Sequence, residues 1–360
     1  MADKTLLRYN PDYAVPPGET LQETIETLGL TQAQLAARTG HTAKMINEII
    51  RGKAPITADT AIQLERVLGV PASFWNNLES NYRADLARLR EWQTLQDQLG
   101  WLDRIPLKAM VKLNWVKPRE TMVEQLQEVL DFFGVASPAA WDEIWDGAQV
   151  AYRKSAVFES DPGAVAAWLR KGEIEAQRME CSDYGEERFR NALTEVRRLT
   201  TEPPSVFVPE LKLVCAKAGV AVVFVSELQG THVSGATRWL TPRKALIQLS
   251  LRYKTDDHLW FTFFHEASHI LKHGKTAVFL EGDNAEDPRE KEADGYARDW
   301  LIPSAEYARL PKRPTFLAIK GAALRLGVAP GIIVGRLQHD GVLSYRQLNT
   351  LKRRFCWAKE

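Results

Sequence analysis

Cysteine, histidine and net charge are all scarce in this 360-residue sequence, and the shortages exclude several classes of protein. The three cysteines, Cys181, Cys215 and Cys356, are odd in number and far apart. This spacing excludes a disulfide framework and a cysteine-ligated metal site, and it suits a reducing compartment. The formal net charge is +1 at pH 7, so the chain as a whole is not a polycation. Any basic surface for nucleic acid must therefore be local.

Long hydrophobic runs are also missing. No run of about 18 apolar residues is present that could span a bilayer, and the first ten residues, MADKTLLRYN, lack the apolar segment of a secretory signal. We therefore expect a cytoplasmic protein with no membrane partner. The hydrophobic share of 45% is high enough for real cores, and the length suits two or three domains of about 100–200 residues each.

One apolar stretch, residues 260–273, reads WFTFFHEASHILKH and contains a His-Glu-x-x-His motif at residues 265–269. In a helix with about 3.6 residues per turn, His265 and His269 lie on one face and can both bind a single Zn²⁺. Zinc lowers the pKa of a bound water to about 7, and the adjacent Glu266 can accept its proton. The pattern therefore predicts hydrolysis of a peptide bond with Glu266 as the catalytic base. The aromatic residues before the motif are predicted core residues, namely Trp260, Phe261, Phe263 and Phe264.

A catalytic zinc usually has three protein ligands, so a third is expected elsewhere in the chain. Residues 287–303 predict a second helix, with one proline near its first turn and another at its end. We predict Glu290 as the third ligand and Asp294, one turn later, as the residue that orients a histidine ring. Glu292 points to another face and is the alternative ligand. Three further histidines are expected to be solvated or to support the ligands from behind: His232, His258 and His273.

Two runs in this region, FTFFHEASHILKHG and EKEADGYARDWLIP, resemble the ImmA/IrrE family of compact zinc metallopeptidase domains. The family pattern is a His-Glu-x-x-His helix followed by a Glu-x-x-Ala helix that ends in Leu-x-Pro. The resemblance implies that Glu290 completes the zinc site. Ser268 stands where glycine is common in the family, and Gly295-Tyr296 stand where Phe is common at the second position. Neither departure removes a ligand.

Residues 16–82 have a different pattern, a series of short helices. Thr31 is a predicted N-cap for a helix at 32–39 and Thr42 for a helix at 43–51, with a glycine in the turn between them. This is helix-turn-helix spacing, and polar residues near the start of the second helix can reach base edges in the major groove. A local basic rim suits DNA phosphates; it consists of Arg38, Lys44, Arg51 and Lys53.

The same segment resembles the lambda-repressor-like (Xre/Cro) DNA-binding domain, and most closely its HigA-type antitoxin form. The resemblance rests on the landmarks Gly-Lys-x-x-Ile, Leu-Gly-x-Pro-x-x-Phe-Trp and Leu-x-x-x-Tyr, which begin at Gly52, Leu68 and Leu78. It implies that a homodimer binds a palindromic double-stranded operator. The predicted DNA contacts are Gln32, Thr42, Ala43, Lys44, Asn47, Arg51 and Lys53. The alternative is a five-helix protein-interaction bundle without DNA contact.

The predicted fold class is mainly α with a small α+β part. The predicted divisions are an N-terminal arm at 1–15, a lambda-repressor-like DNA-binding domain at 16–82, a helical spacer at 83–200, a zincin-like zinc peptidase domain at 205–310 and a helical tail at 311–360. Strands are predicted at 219–225, 234–239 and 244–249. A small sheet beside a zinc-binding helix is the zincin arrangement, whose edge strand can hold an extended peptide. The basic cluster Lys352-Arg353-Arg354 is expected to be a solvated helix end.

Two functions remain open. The first is a DNA-binding transcriptional regulator of antitoxin or prophage-repressor type, whose zinc domain cleaves or senses a protein partner such as a toxin. The second is a stress-activated, site-specific zinc endopeptidase that cleaves a repressor, with the helix-turn-helix domain serving only to localise it. Both use Zn²⁺, and they differ in whether hydrolysis or operator binding is the main activity.

Overall fold

The computed structural model describes residues 13–152, 161–275, 279–280, 287–311 and 314–358. It contains two compact units, Met1–Leu99 and Gly100–Glu360. The predicted N-terminal arm lies outside the described residues except for positions 13–15. The described chain is mostly helical and has one small sheet, so the predicted fold class is confirmed at that level.

Five helices form the first unit: α1 (Pro17–Thr27), α2 (Gln32–Thr39), α3 (Ala43–Ile50), α4 (Ala58–Leu68) and α5 (Ala72–Asp97). The hydroxyls of Thr31, Thr42 and Thr57 each accept the backbone N–H of the third residue of the following helix. These caps satisfy donors that have no partner within the helix. The inner faces of the helices enclose an apolar core that includes Leu21, Leu35, Ile46, Leu64 and Trp75.

α5 is longer than predicted. The sequence predicted a DNA-binding domain that ends at residue 82 and a helical spacer that begins at residue 83, but the structure has one helix of 26 residues across that division. Neither glycine nor proline occurs between Ala72 and Asp97, so the backbone chemistry does not interrupt the helix. The predicted division at residue 82 therefore falls inside α5.

The second unit contains eleven further α-helices among the described residues, six of them before the sheet. The six are α6 (Leu107–Lys112), α7 (Met122–Phe133), α8 (Pro138–Tyr152), α9 (Pro162–Arg178), α10 (Glu186–Leu199) and α11 (Pro204–Lys217), preceded by a 3₁₀ helix at Leu99–Arg104. Trp141 and Trp168 are fully buried here. These aromatic side chains therefore belong to the core.

Four strands form the sheet: β1 (Val220–Phe224), β2 (Gly235–Thr241), β3 (Lys244–Leu249) and β4 (Phe279–Leu280). Their order is β1-β3-β2-β4; β1 and β3 are parallel, and the other pairs are antiparallel. The three predicted strands are present. β4 was not predicted, because two residues are too few to show an alternating pattern.

The remaining helices are α12 (Asp256–Lys272), α13 (Pro288–Leu301), α14 (Ser304–Tyr307), α15 (Phe316–Leu326) and α16 (Pro330–His339), followed by a 3₁₀ helix at Asn349–Leu351. α12 packs against β2 and β3. Trp260, Phe263 and Phe264 on α12 are completely buried, as predicted. Phe261 is half-buried and packs against the same core, so it belongs to the edge of the core. It lies one turn before His265 on the same helix face and lines a cavity.

Within the described residues, no single helix is long and apolar enough to cross a membrane. α15 and α16 meet those length and composition limits only as a pair, across a bend of 114°.

Candidate metal centre and candidate nucleic-acid interface

Two residues near the C-terminus, Lys352 and Arg353, form hydrogen bonds with the first turn of α12. Asp256 is buried there and accepts hydrogen bonds from the backbone N–H of Arg353 (3.1 Å) and from its Nε (3.2 Å). Burial raises the pKa of Asp256, and the Arg353 guanidinium acts in the opposite direction. The Nζ of Lys352 lies 2.6 Å from the Oδ2 of Asp257. The prediction of a solvated helix end was therefore wrong for Lys352 and Arg353, which fix the helix that carries the motif.

Three side chains from α12 and α13 converge at one point. His265 and His269 are 2% and 1% exposed, and their Nε2 atoms lie 3.0 Å apart. Glu290 Oε2 lies 3.0 Å from His265 Nε2, and Glu290 Oε1 lies 3.6 Å from His269 Nε2. Zn–N bonds of about 2.0–2.1 Å in a tetrahedral site place two nitrogens about 3.3 Å apart. The spacing therefore suits a single metal ion, and we name these three residues the His₂Glu cluster.

Both histidine rings of the cluster are supported from behind. His265 Nδ1 lies 3.0 Å from Asp294 Oδ1, the contact expected of a residue that orients the ring. His269 Nδ1 lies 2.8 Å from His273 Nδ1, and His273 Nε2 lies 3.3 Å from Glu292 Oε2. Glu292 is thus directed to His273, while Glu290 faces the two histidines. Of the other two nearby histidines, His258 stacks on Tyr253 and His232 is exposed.

The protonation states of the cluster also suit a metal. Burial lowers the pKa of His269 below its ordinary value, so this ring is neutral at pH 7. Burial by itself raises the pKa of Glu290, but hydrogen bonds with His265 and His269 outweigh it and hold the pKa at about 2. Neutral imidazole and ionised carboxylate are the forms that bind Zn²⁺. The donor set of this structure therefore fits zinc.

Glu266 is completely buried and lies against the start of β2. A Cβ added to Gly235 would lie 2.6 Å from Glu266 Oε1 and 2.5 Å from Thr262 Cγ2. Thr237 Oγ1 donates a hydrogen bond of 3.1 Å to the Glu266 carbonyl. Glycine at 235 leaves the space that the carboxylate occupies. Sequence reasoning missed Gly235, because no local pattern relates it to a helix so far along the chain.

A cavity of about 530 Å³ lies beside the His₂Glu cluster, within the range of about 300–1,000 Å³ that is usual for ligand sites. His265, Glu290 and Asp294 line it, together with Ser234, the residue that precedes β2. Apolar side chains of α12, α13 and α16 form other parts of the wall. The cavity therefore borders two residues of the cluster, His265 and Glu290.

In the first unit, α2 and α3 form the helix-turn-helix. Five of the predicted DNA contacts are exposed: Thr42, Ala43, Lys44, Arg51 and Lys53. The Lys44 side chain is 84% exposed and lies 3.8 Å from Glu48. Most of the predicted contact surface is therefore open to a ligand.

The other two predicted DNA contacts, Gln32 and Asn47, are half-buried. Asn47 Nδ2 donates to Gln32 Oε1 (3.2 Å), and Gln32 Nε2 donates to Gln22 Oε1 (2.9 Å). This chain of amides links α3, α2 and α1. It fixes the angle at which α3 presents its exposed residues. Gln22 was missed, because a single glutamine on an otherwise ordinary helix carries no sequence signal.

Comparison with known proteins agrees with this geometry. Residues 21–75 match the helix-turn-helix family. A curated relative, Virulence-associated protein I of Dichelobacter nodosus, is 39% identical over 75 residues, which are 21% of this chain and 69% of the relative. The chain belongs to the helix-turn-helix family. Its first unit thus contains a helix-turn-helix domain, and the predicted presence of that domain is confirmed.

Two solved structures are similar to this helix-turn-helix domain. A Pseudomonas aeruginosa protein in complex with its 18-bp operator DNA is 36% identical; the match covers 21% of this chain and 82% of that one, with a TM-score of 0.20. The Pseudomonas aeruginosa antitoxin HigA with the higBA promoter is 31% identical; the match covers 24% of this chain and 94% of that one, with a TM-score of 0.22.

Proposed function

We propose that the protein is a transcriptional regulator of antitoxin type whose helix-turn-helix domain binds double-stranded operator DNA. Membership of the helix-turn-helix family and the exposure of Thr42, Lys44 and Arg51 support the proposal. Basic side chains suit phosphates, and polar ones at the start of α3 suit base edges. Because such domains read palindromic sites, a homodimer is part of the proposal.

The second part of the proposal is that His265, His269 and Glu290 bind Zn²⁺, with Asp294 orienting the His265 ring. The observation that carries it is the approach of the three donor groups to within 4.8 Å of one another. Two imidazoles and one carboxylate are a donor set of hydrolytic zinc sites. The resemblance of the two helices to the ImmA/IrrE pattern supports the same assignment, with a zincin-like domain around it.

The proposed reaction is hydrolysis of a peptide bond in a protein partner, a toxin or a repressor. When bound, zinc lowers the pKa of a coordinated water to about 7 and polarises a carbonyl group. Glu266 is the proposed base: its carboxylate would accept a proton from the attacking water and pass it to the nitrogen of the leaving amine as the C–N bond breaks. Its burial against Gly235 keeps that carboxylate away from bulk water, and Ser234 connects the same edge of β2 to the cavity.

The cavity beside the cluster favours a second candidate, a site-specific zinc endopeptidase that the helix-turn-helix domain only localises. Glu266→Gln separates the two candidates, because it removes the base but preserves the side-chain shape. If hydrolysis is the main activity, the variant loses all function in cells and keeps its zinc and its operator affinity. If the regulatory response is unchanged, the endopeptidase is excluded and the second unit senses its partner without cleaving it.

The DNA-binding part is tested by the double variant Lys44→Ala, Asn47→Ala. It should weaken sequence-specific binding by about 30-fold or more, because each good base contact contributes about 1–3 kcal/mol and two proposed contacts are removed. Footprinting and a titration on the operator measure the loss. Arg66→Ala, which removes an exposed positive charge from α4 in the same unit, is the matched control. An unchanged footprint for the double variant would reject α3 as the recognition helix.

A further inference from the structure

The cavity beside the His₂Glu cluster is lined by three carboxylates, and all of them are already engaged by neighbours. Glu290 contacts His265 and His269, and Asp294 contacts His265. Asp257 is paired with Lys352 at 2.6 Å. These carboxylates are therefore balanced within the protein, and they leave little negative charge to face a ligand.

The cations on the same wall are balanced less completely. Arg336 is paired with Asp340 at 2.6 Å. Lys291 and Arg298 of α13 also line the cavity, and no carboxylate among the described residues forms an ion pair with either of them. Lys291 is exposed to solvent, whereas Arg298 is half-buried. Arg252 also lines the cavity without a carboxylate partner among the described residues, but it is exposed. Arg298 is thus the lining cation that has neither such a partner nor full access to solvent.

The position of Arg298 on α13 relates it to the reacting centre. Glu290, Asp294 and Arg298 are spaced four residues apart, so they follow one another along one face of the helix. At about 1.5 Å per residue, Arg298 lies about 12 Å along the helix axis from Glu290. An extended peptide covers that distance with three or four residues, at about 3.3 Å each.

Apolar side chains surround this end of the cavity. Leu301, Ile302 and Ile332 line it and are 3%, 2% and 3% exposed. Such a wall reduces the local dielectric and strengthens the attraction between a guanidinium and an incoming anion. Arginine also binds a carboxylate through two parallel hydrogen bonds, which fixes the orientation of the ligand.

We propose that Arg298 is a specificity-determining residue that binds a carboxylate of the substrate three or four residues from the cleaved bond. This inference rests on the proposed peptidase function, because it takes the His₂Glu cluster as the reacting centre. The carboxylate belongs to an aspartate or glutamate side chain or to the C-terminus of the peptide. The chemistry recognised is the same in both cases.

Peptide binding tests the proposal without requiring hydrolysis. The full-length Glu266→Gln protein, supplied with Zn²⁺, is titrated with fluorescein-labelled octapeptides of Ala and Ser that carry one Asp at successive positions, and with the matching Asn peptides. Each peptide is made with a free and with an amidated C-terminus. Fluorescence anisotropy should show a preference of about tenfold or more for the carboxylate, the strength expected of a charged hydrogen bond. A preference for free over amidated C-termini that is the same for Asp and Asn peptides would assign the carboxylate to the end of the chain.

Adding Arg298→Gln should abolish the preference and leave binding of the Asn peptides unchanged. Adding Arg289→Gln, on the same helix but outside the cavity lining, should leave the preference intact. Equal binding of Asp and Asn peptides together with equal binding of free and amidated C-termini, no measurable binding of any peptide, or a preference that survives Arg298→Gln would overturn the proposal. If the preference holds but the wild-type protein cleaves none of the peptides, only the proposed peptidase function fails. If cleavage occurs without the preference, only this inference fails.

Discussion

The two units differ in how far their candidate functional side chains are buried: those of the first unit are exposed, and those of the second lie within its hydrophobic core. In the first unit, Lys44 and Arg51 project into solvent from helices whose inner faces pack around Trp75. In the second, His265 and His269 are buried in a helix whose neighbouring side chains, among them Phe263, belong to the core itself. The first site can therefore be altered without disturbing the core, and the second cannot.

This difference agrees with the ligand proposed for each site. Phosphates and base edges are reached by long, solvated side chains. A metal centre needs neutral imidazole, and the burial that lowers the pKa of His269 favours that form. We therefore expect stability and function to be separable in the first unit and coupled in the second.

The largest effect is expected when the buried ion pair at the start of α12 is broken. Asp256→Ala leaves the Arg353 guanidinium without its carboxylate, and losing one partner of a buried pair costs about 3–5 kcal/mol. Because Arg353 is partly exposed, we expect the lower end of this range. The free energy of unfolding of the second unit, measured by urea denaturation, should fall by about 3 kcal/mol.

The first unit supplies the contrast. Glu48→Ala breaks the exposed pair with Lys44 and should change the free energy of unfolding by less than about 0.5 kcal/mol, because solvent screens such pairs. Equal losses for the two variants would mean that the buried and exposed sites do not differ as described.

The next effect concerns the close approach of β2 to Glu266. Gly235→Ala places a methyl group 2.6 Å from the carboxylate, and overpacking of this kind costs about 1–3 kcal/mol. Gly295→Ala on α13 meets no atom within 4 Å and should stabilise the protein by up to about 1 kcal/mol, because alanine favours a helix interior. Thermal unfolding of the two variants should therefore shift in opposite directions, and a shift in the same direction would refute the contact.

A smaller effect, seen only in metal affinity, is expected for Asp294→Asn. The change keeps the side-chain shape but weakens the contact with His265 Nδ1. Loss of such a supporting residue lowers metal affinity by about 10- to 100-fold. Competition with a chelator measures it, with Asp299→Asn on the exposed side of the same helix as the control. An affinity equal to that of the wild type would remove Asp294 from the site.

Apart from the contrast variant Glu48→Ala, the smallest loss is expected at the cap of α3. Thr42→Ala removes the acceptor for the Met45 N–H and should cost about 1 kcal/mol of unfolding free energy. Thr42→Ser keeps the acceptor and should restore the stability. If the Thr42→Ala and Thr42→Ser variants are equally stable, the cap contributes nothing to stability, and DNA contact is the only role left for Thr42.

What could be predicted from the sequence differs between the units for a physical reason. Thr31 and Thr42 each accept the backbone N–H of a residue only three positions later, so these helices were evident from local spacing. The approach of Glu290 to His265 was also predicted, because both lie on strongly patterned helices. Residues that act across long chain separations were missed: Gly235 against Glu266, and Arg353 against Asp256.

Two further differences have the same origin. Phe261 was assigned to the core by its chemistry alone, and only the fold shows that its face of α12 borders the cavity. The period of α5 was recognised in two pieces, because the resemblance to a known domain ends near Tyr82 while the helix continues. Local patterns thus locate the elements, and tertiary packing decides which faces remain open.

The central claim is that His265, His269 and Glu290, in the second unit, form one metal site. The most direct test is the zinc content of the full-length protein, purified and reconstituted with Zn²⁺. We predict about one Zn²⁺ per chain, almost none in His265→Ala, a clear loss in Glu290→Gln and no loss in Glu292→Gln. A wild-type protein that binds no zinc after reconstitution, or a His265→Ala variant that keeps it, would contradict the account.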